Sequence, residues 1–168
     1  MLDIHVTVAA VIERDGKYLL VEEKSSRGDI VYNQPAGHVD PNESIIDAVI
    51  REVHEETGLS FTPEYLIGNY FLSPATNGKH YLRFCFYGTT PDQQEPSPID
   101  SDILATHWKT IEDICALGRS LRSALVLQCL DDYLCGKRYS LDQFHFCSDE
   151  LNLAEVCYNR LPQSVIGK

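Results

Sequence analysis

Apolar residues along this chain gather in short, β-rich stretches divided by polar turns, and in three places their period changes to a helical one. The stretches His5 to Ile12, Tyr18 to Glu22, Val31 to Pro35, Tyr65 to Leu72, Tyr81 to Thr89 and Ile103 to Lys109 read as strands. Asp15-Gly16 is a hairpin signal, Ser25 to Asp29 and Ser73 to His80 read as loops, and Pro91 to Pro98 is a proline-rich turn region. The longest helical segment is expected from about Glu43 to Thr57. Asn42 is its expected N-cap, Glu43 lies in the first turn where the helix dipole favours an anion, and Gly58 suits the left-handed position past its end. Further helices are expected at Ile111 to Ala116 and from about Leu121 to Cys135, the latter capped by Gly136. Strands that precede and separate these helices predict an α/β fold of the α+β kind, with a mixed sheet covered on both faces.

A chain of 168 residues that is 43% hydrophobic suits one sizeable core and is short for two. It contains no internal repeat and no linker between cores. No apolar run approaches the roughly 18 residues of a membrane span, and no basic-then-apolar leader opens the sequence, so a cytoplasmic protein is expected, with no membrane partner. Six Cys without a close CxxC pair read as reduced packing thiols rather than a zinc or disulfide framework. The net charge of −11 argues against a nucleic-acid polymer as partner, because such binding relies on Lys and Arg neutralising phosphates.

The chemistry concentrates on the longest expected helix. At 3.6 residues per turn, Glu52, Glu55 and Glu56 fall within an arc of about 100°, beside an apolar arc of Ile46, Val49, Ile50 and Val53. Like charges so placed repel one another, and a divalent cation would offset that repulsion. Hard oxygen donors suit Mg²⁺, with Mn²⁺ as a substitute. Arg51, one turn before Glu55, can hold that carboxylate through a charge-assisted hydrogen bond. The plain alternative is a solvated acidic helix face. Asn33 and Gln34 are candidates to hydrogen-bond a base or phosphate, Arg83 to pair with a phosphate, and Tyr32, Phe71 and Tyr81 to stack on a ring. Core packing competes for each aromatic. His38 is a phosphate candidate or a bare loop residue. Asp100 and Asp102 lie in a DSDI stretch; Asp102 is a candidate extra metal ligand, with turn formation as the competing role.

Gly37, Glu43 and the run Arg51-Glu52-Val53-His54-Glu55-Glu56-Thr57-Gly58-Leu59 match the Nudix box without departure. The stretches HVTVAAVI from His5, NQPAGHVD from Asn33, LRFCF from Leu82, DSDI from Asp100, LRSALV from Leu121 and KRYSLDQF from Lys137 resemble the NudJ branch of Nudix phosphatases. The resemblance implies an α/β/α Nudix sandwich with a mixed sheet over residues 1–146, followed by a C-terminal extension, 147–168. It implies a hydrolase in which Glu52, Glu55, Glu56 and the Gly37 backbone carbonyl hold divalent cations for attack of water on a phosphoanhydride, with Arg51 in the catalytic set. Glu52 and Glu56 are the first choice as direct ligands. Glu55 would bind through water or take the nucleophile's proton, and Glu43 would stabilise the box. A NudJ-like enzyme is expected to remove terminal phosphate from nucleoside tri- and diphosphates, with hydroxymethylpyrimidine diphosphate as a further substrate. The alternatives are a MutT-like nucleoside triphosphate pyrophosphohydrolase and a non-hydrolytic, nucleotide-binding regulatory domain. The expected partner is a small phosphoanhydride, and the expected state a monomer or homodimer.

Overall fold

Alternate side chains of the first strand, β1 (Ile4–Val11), enter two different cores. Val8 and Ala10, with Ile12 beyond them, pack against Ala48, Val49 and Val53 of helix α1 (Ile45–Thr57), while Ala9 and Val11 face Cys85, Val126, Cys129 and Leu130. A strand buried on both faces needs apolar residues at every position, which is why this segment reads as a continuous apolar run. The structure is a computed structural model that describes residues 2–91 and 94–147. The expected extension, 147–168, therefore lies outside the described residues apart from Cys147.

β1 pairs in parallel with β7 (His80–Thr89) and antiparallel with the short β5 (Ala36–His38), and β6 (Thr62–Leu72) completes a mixed sheet in the order β5-β1-β7-β6. A second, antiparallel sheet is built on β3 (Lys17–Lys24), which pairs with β8 (Ile103–Lys109), with β4 (Ile30–Asn33) and with the two-residue β2 (Glu13–Arg14). Helix α1 covers one core, and α2 (Ile111–Leu117) and α3 (Leu125–Leu134) cover the other. This is the expected α/β/α layering with a mixed sheet.

Three local expectations need correction. Asp15 and Gly16 do form a tight hairpin, both at positive φ (52° and 72°), but it joins β2 to β3; β1 belongs to the other sheet because its doubly buried length pairs with β7 and β5. Helix α1 begins later than Glu43. Asn42 turns the chain in a left-handed conformation, φ 68°, so the first residue with capping geometry is Ser44, whose Oγ accepts from Asp47 N at 3.0 Å. Helix α3 starts at Leu125 rather than Leu121, because Leu121 bridges to Tyr32 and Arg122 N donates to Tyr32 O at 2.8 Å, holding that segment extended against the second sheet. Among the cysteines, Cys85 and Cys129 are buried packing residues as expected, whereas Cys115, Cys135 and Cys147 are exposed. No helix among the described residues is long and apolar enough to cross a membrane.

Asp132 on α3 fastens this helix to β6 and to the chain that follows. It is 6% exposed and accepts from Tyr70 Oη at 2.8 Å, Lys137 Nζ at 2.8 Å and Gln128 Nε2 at 3.2 Å. Burial pushes its carboxyl upward, but the hydrogen bonds from Lys137 and Tyr70 outweigh burial and hold it below the usual range. Tyr70→Phe is expected to cost about 1 kcal/mol at neutral pH. Because the folded pKa is depressed, Asp132's contribution is present above the unfolded value of about 3.9 and is lost as pH falls through the folded one. Urea unfolding of both proteins at neutral pH and in acid checks this; a gap that persists undiminished at low pH contradicts it.

Candidate active site

Glu56 interrupts the apolar stripe of α1. It follows Val49 and Val53 at i+7 and i+3, so helical geometry turns its carboxylate toward the core, and the residue is only 7% exposed. Its Oε2 accepts from Ala36 N at 2.8 Å. Burial pushes the carboxyl up to about 9; the Ala36 hydrogen bond opposes this, while the charges of Glu23, Glu52 and Asp100 add to it. Glu52, one turn earlier, lies against the next residue of the same strand. A Cβ on Gly37 would overlap the Glu52 carboxylate, so any larger residue there displaces that side chain. Burial also raises the Glu52 carboxyl, against a hydrogen bond from Arg51.

Arg51 organises the remaining carboxylates. Its Nε and Nη2 donate to the two oxygens of Glu43 at 3.0 and 2.7 Å, Nη1 donates to Glu52 and to Glu55 at 2.9 Å each, and Nη2 also reaches His38 O at 2.9 Å. This hydrogen bond from Arg51 is the largest cause holding the Glu43 carboxyl below the ordinary range. Glu43 therefore belongs to the support of the site, as expected, and lies outside the helix rather than in its first turn.

A further carboxylate is brought in by the end of α1. The last carbonyls of a helix have no partner within it; here Glu55 O accepts from Ile99 N at 2.9 Å and Asp100 N at 2.8 Å, and Thr57 O accepts from Ser97 N at 2.7 Å. Gly58, at φ 71°, allows the crossing, since a Cβ there would overlap Ser97 O. The loop is thereby fixed so that the charge of Asp100 acts on Glu56. Asp100 Oδ1 also accepts from Asp102 N at 2.9 Å, so the turn-forming carboxylate of this stretch is that of Asp100, and Asp102 supplies its amide.

Asn33 and Gln34, three and two residues before Ala36, are buried at 5% and 1% exposure. Arg83 is also buried, on β7 opposite Thr7 of β1. His38 and Tyr81 come together with His5 at the other end of β5, ring centroids lying 5.3 to 6.3 Å apart. Tyr32 packs on the second core and on His107, and Phe71 is exposed. Glu23 and Arg122 escaped sequence reasoning; only their place beside Asn33, and the charge of Glu23 on Glu56, marks them.

The donor set suits a divalent cation. Glu52 and Glu56 are hard oxygen donors flanking adjacent residues of β5; burial raises both carboxyls, and Glu56, unlike Glu52, has no pairing with Arg51 to offset it. Among the described residues no three His, Cys, Asp or Glu side chains already converge on one point. Arg51 Nη1 reaches both Glu52 and Glu55, but only Glu52 and Glu56 lie against β5, so these two are the candidate direct pair, in keeping with the one or two carboxylates that Mg²⁺ commonly takes.

Residues 2–127 match the NUDIX domain model. The chain is 38% identical over 143 residues to Phosphatase NudJ of Escherichia coli K12, spanning 84% of this chain and 91% of that protein. Among solved structures, a NUDIX hydrolase from Nitrosomonas europaea is 49% identical with a TM-score of 0.81, covering 86% of this chain and 98% of the other. A MutT NUDIX hydrolase from Burkholderia pseudomallei is 26% identical with a TM-score of 0.66, covering 77% and 98%.

Gly37→Ala is expected to displace the Glu52 carboxylate and weaken divalent-cation binding by about 10- to 100-fold, the range typical of disturbed ligand support. A Mn²⁺ titration followed by electron paramagnetic resonance measures it, and wild-type affinity in the variant would show that Glu52 and Gly37 do not share a cation site.

Proposed function

The chain belongs to the Nudix hydrolase family, and on that premise we propose that it is a Mg²⁺-dependent phosphatase of the NudJ kind. It removes the terminal phosphate of nucleoside tri- and diphosphates, with hydroxymethylpyrimidine diphosphate as a further substrate. The observation that carries the reading is the pair of Glu52 and the buried Glu56 against β5, in a chain that matches a phosphatase over 84% of this chain and 91% of that protein.

Glu52, Glu56 and the Gly37 carbonyl hold the cation, for which Mn²⁺ can substitute. When bound, the cation supplies charge neutralisation at the phosphoryl oxygens and makes a water acidic enough to attack. Arg51 fixes the directions of Glu52 and Glu55. Glu55 has a 46% exposed side chain, the most open of the three helix carboxylates, and accepts the proton of the attacking water. Arg83 and Gln34 set the register of the phosphate chain, Asn33 meets the rest of the substrate, and His38 and Tyr81 stand at the outer end of the site.

A second reading, a MutT-like pyrophosphohydrolase, draws on the likeness to the Burkholderia protein. Both readings use the same cation site. The product depends on which phosphorus the site sets against the water, and a displacement of one phosphorus changes the bond broken. Hydrolysis of a triphosphate in ¹⁸O water separates them: labelled orthophosphate with unlabelled diphosphate is expected, and monophosphate with pyrophosphate would favour the second reading.

Glu56→Gln keeps the shape of the side chain and removes its charge, and should lower turnover at least about 100-fold. Glu64→Gln, on the exposed side of β6, should leave it nearly unchanged. Steady-state rates for both variants, with EDTA abolishing and Mg²⁺ restoring wild-type activity, test the assignment. Equal losses in the two variants, or activity indifferent to EDTA, would contradict it.

A further inference from the structure

Beside the candidate cation site lies a group of polar side chains that its chemistry leaves unused. Asn33 pairs with Val21 across β3 and β4, and Glu23 pairs with Val31, so Asn33 and Glu23 are diagonal neighbours on one face of the second sheet. Asn33 Nδ2 donates to Glu23 Oε1 at 3.4 Å, and Arg122 Nη1 stands 3.7 Å from Glu23 Oε2. The charge of Arg83 also acts on Glu23, and that of Glu23 acts on Glu56, so the group adjoins the candidate catalytic carboxylates.

Among its atoms, Asn33 Oδ1 and Arg83 Nε and Nη1 are buried without a partner, on residues no more than 8% exposed. A buried polar atom left without a partner forfeits the hydrogen bonds it makes to water in the unfolded chain. A fold does not gain stability from keeping such atoms, whereas a ligand that supplies partners recovers the loss. Burial of unpaired polar atoms beside a reaction centre is the signature of a specificity site.

We propose that Glu23 and Asn33 form a base-recognition site that selects an amino group beside an unprotonated ring nitrogen, the edge shared by cytosine and adenine. This rests on the nucleotide reading above and adds the choice of base to it. Glu23 as a carboxylate only accepts, and the unpaired Asn33 Oδ1 only accepts, so together they match a ring –NH₂. The ring nitrogen takes its hydrogen bond from Asn33 Nδ2, which carries a second hydrogen beyond the one directed at Glu23. Uracil and guanine present a carbonyl oxygen where the amino group would stand. Oxygen then faces the Glu23 carboxylate, and the site rejects it. Burial raises the Glu23 carboxyl, and Arg122, with Nη1 3.7 Å from Oε2, opposes that rise from outside the pair.

The test uses nucleoside monophosphates, which carry no phosphoanhydride, so recognition is read separately from hydrolysis. Calorimetric titration of the full chain with Mg²⁺ and CMP, UMP, AMP or GMP should give CMP binding at least about 10-fold tighter than UMP, or AMP binding at least about 10-fold tighter than GMP. The tighter of the two identifies the base. Glu23→Gln, equal in shape but able to donate as well as accept, should bring that ratio to within about threefold. Equal affinities in the wild type, including no detectable binding of any of the four, overturn the proposal. So does a wild-type ratio retained in Glu23→Gln, and so does a variant that loses Mn²⁺ affinity while its base preference stays intact, which would make Glu23 a cation donor. Failure of the hydrolytic reading would appear elsewhere, as triphosphate left intact in the phosphate-release assay.

Discussion

Arg51 donates to the carboxylates of Glu43, Glu52 and Glu55 and to the carbonyl of His38, and thereby joins one face of α1 to the loop before it and to the end of β5. A planar guanidinium with five donors can serve four partners at once; a lysine ammonium with three cannot reproduce the arrangement. One cation thus sets the directions of carboxylates that would otherwise repel one another along a single helix. Glu56 is the carboxylate it does not reach, and that residue is buried and meets the charges of Glu23, Glu52 and Asp100. Burial, with these charges beside it, therefore raises the Glu56 carboxyl, and a cation bound there would lower it. A divalent cation there reconciles an acidic protein with an acidic substrate.

The framework delivers the remaining parts through ordinary backbone needs. Carbonyls at the C-terminal end of α1 capture the amides of Ser97, Ile99 and Asp100, which brings Asp100 to the site. The strand that ends in Asn33 leads within three residues to Ala36, whose amide holds Glu56. Phosphate chemistry and base recognition are thus adjacent along one short stretch of chain, and the distance between them is fixed by β4, β5 and the residues that join them.

Much of this was legible in the sequence, and what was hidden has physical reasons. The carboxylate face of α1 follows from the spacing of Glu52, Glu55 and Glu56, and β8 and α2 follow from period and punctuation. The start of α1 did not, because Asn42 adopts a left-handed conformation that moves the cap to Ser44. Partners of strands are also silent in a local pattern: Asp15-Gly16 announces a hairpin, but not that β1 belongs to another sheet. Asp100 and Asp102 look alike in DSDI, and the free carbonyl of Glu55 decides between them. Glu23 stands in an exposed-looking Glu-Glu-Lys run, and only its diagonal contact with Asn33 reveals a role.

The central claim, that Glu52 and Glu56 form a cation site whose charge is costly when empty, is tested most directly by thermal unfolding across a Mg²⁺ titration, without any substrate. The account predicts a midpoint that climbs with Mg²⁺, by an amount equivalent to about 2.7 kcal/mol at 100 times the dissociation constant. It also predicts that the Glu52→Gln/Glu56→Gln protein is more stable than the wild type without Mg²⁺ and gains nothing from it. A wild-type midpoint indifferent to Mg²⁺, or an equal rise in the double variant, would contradict the account.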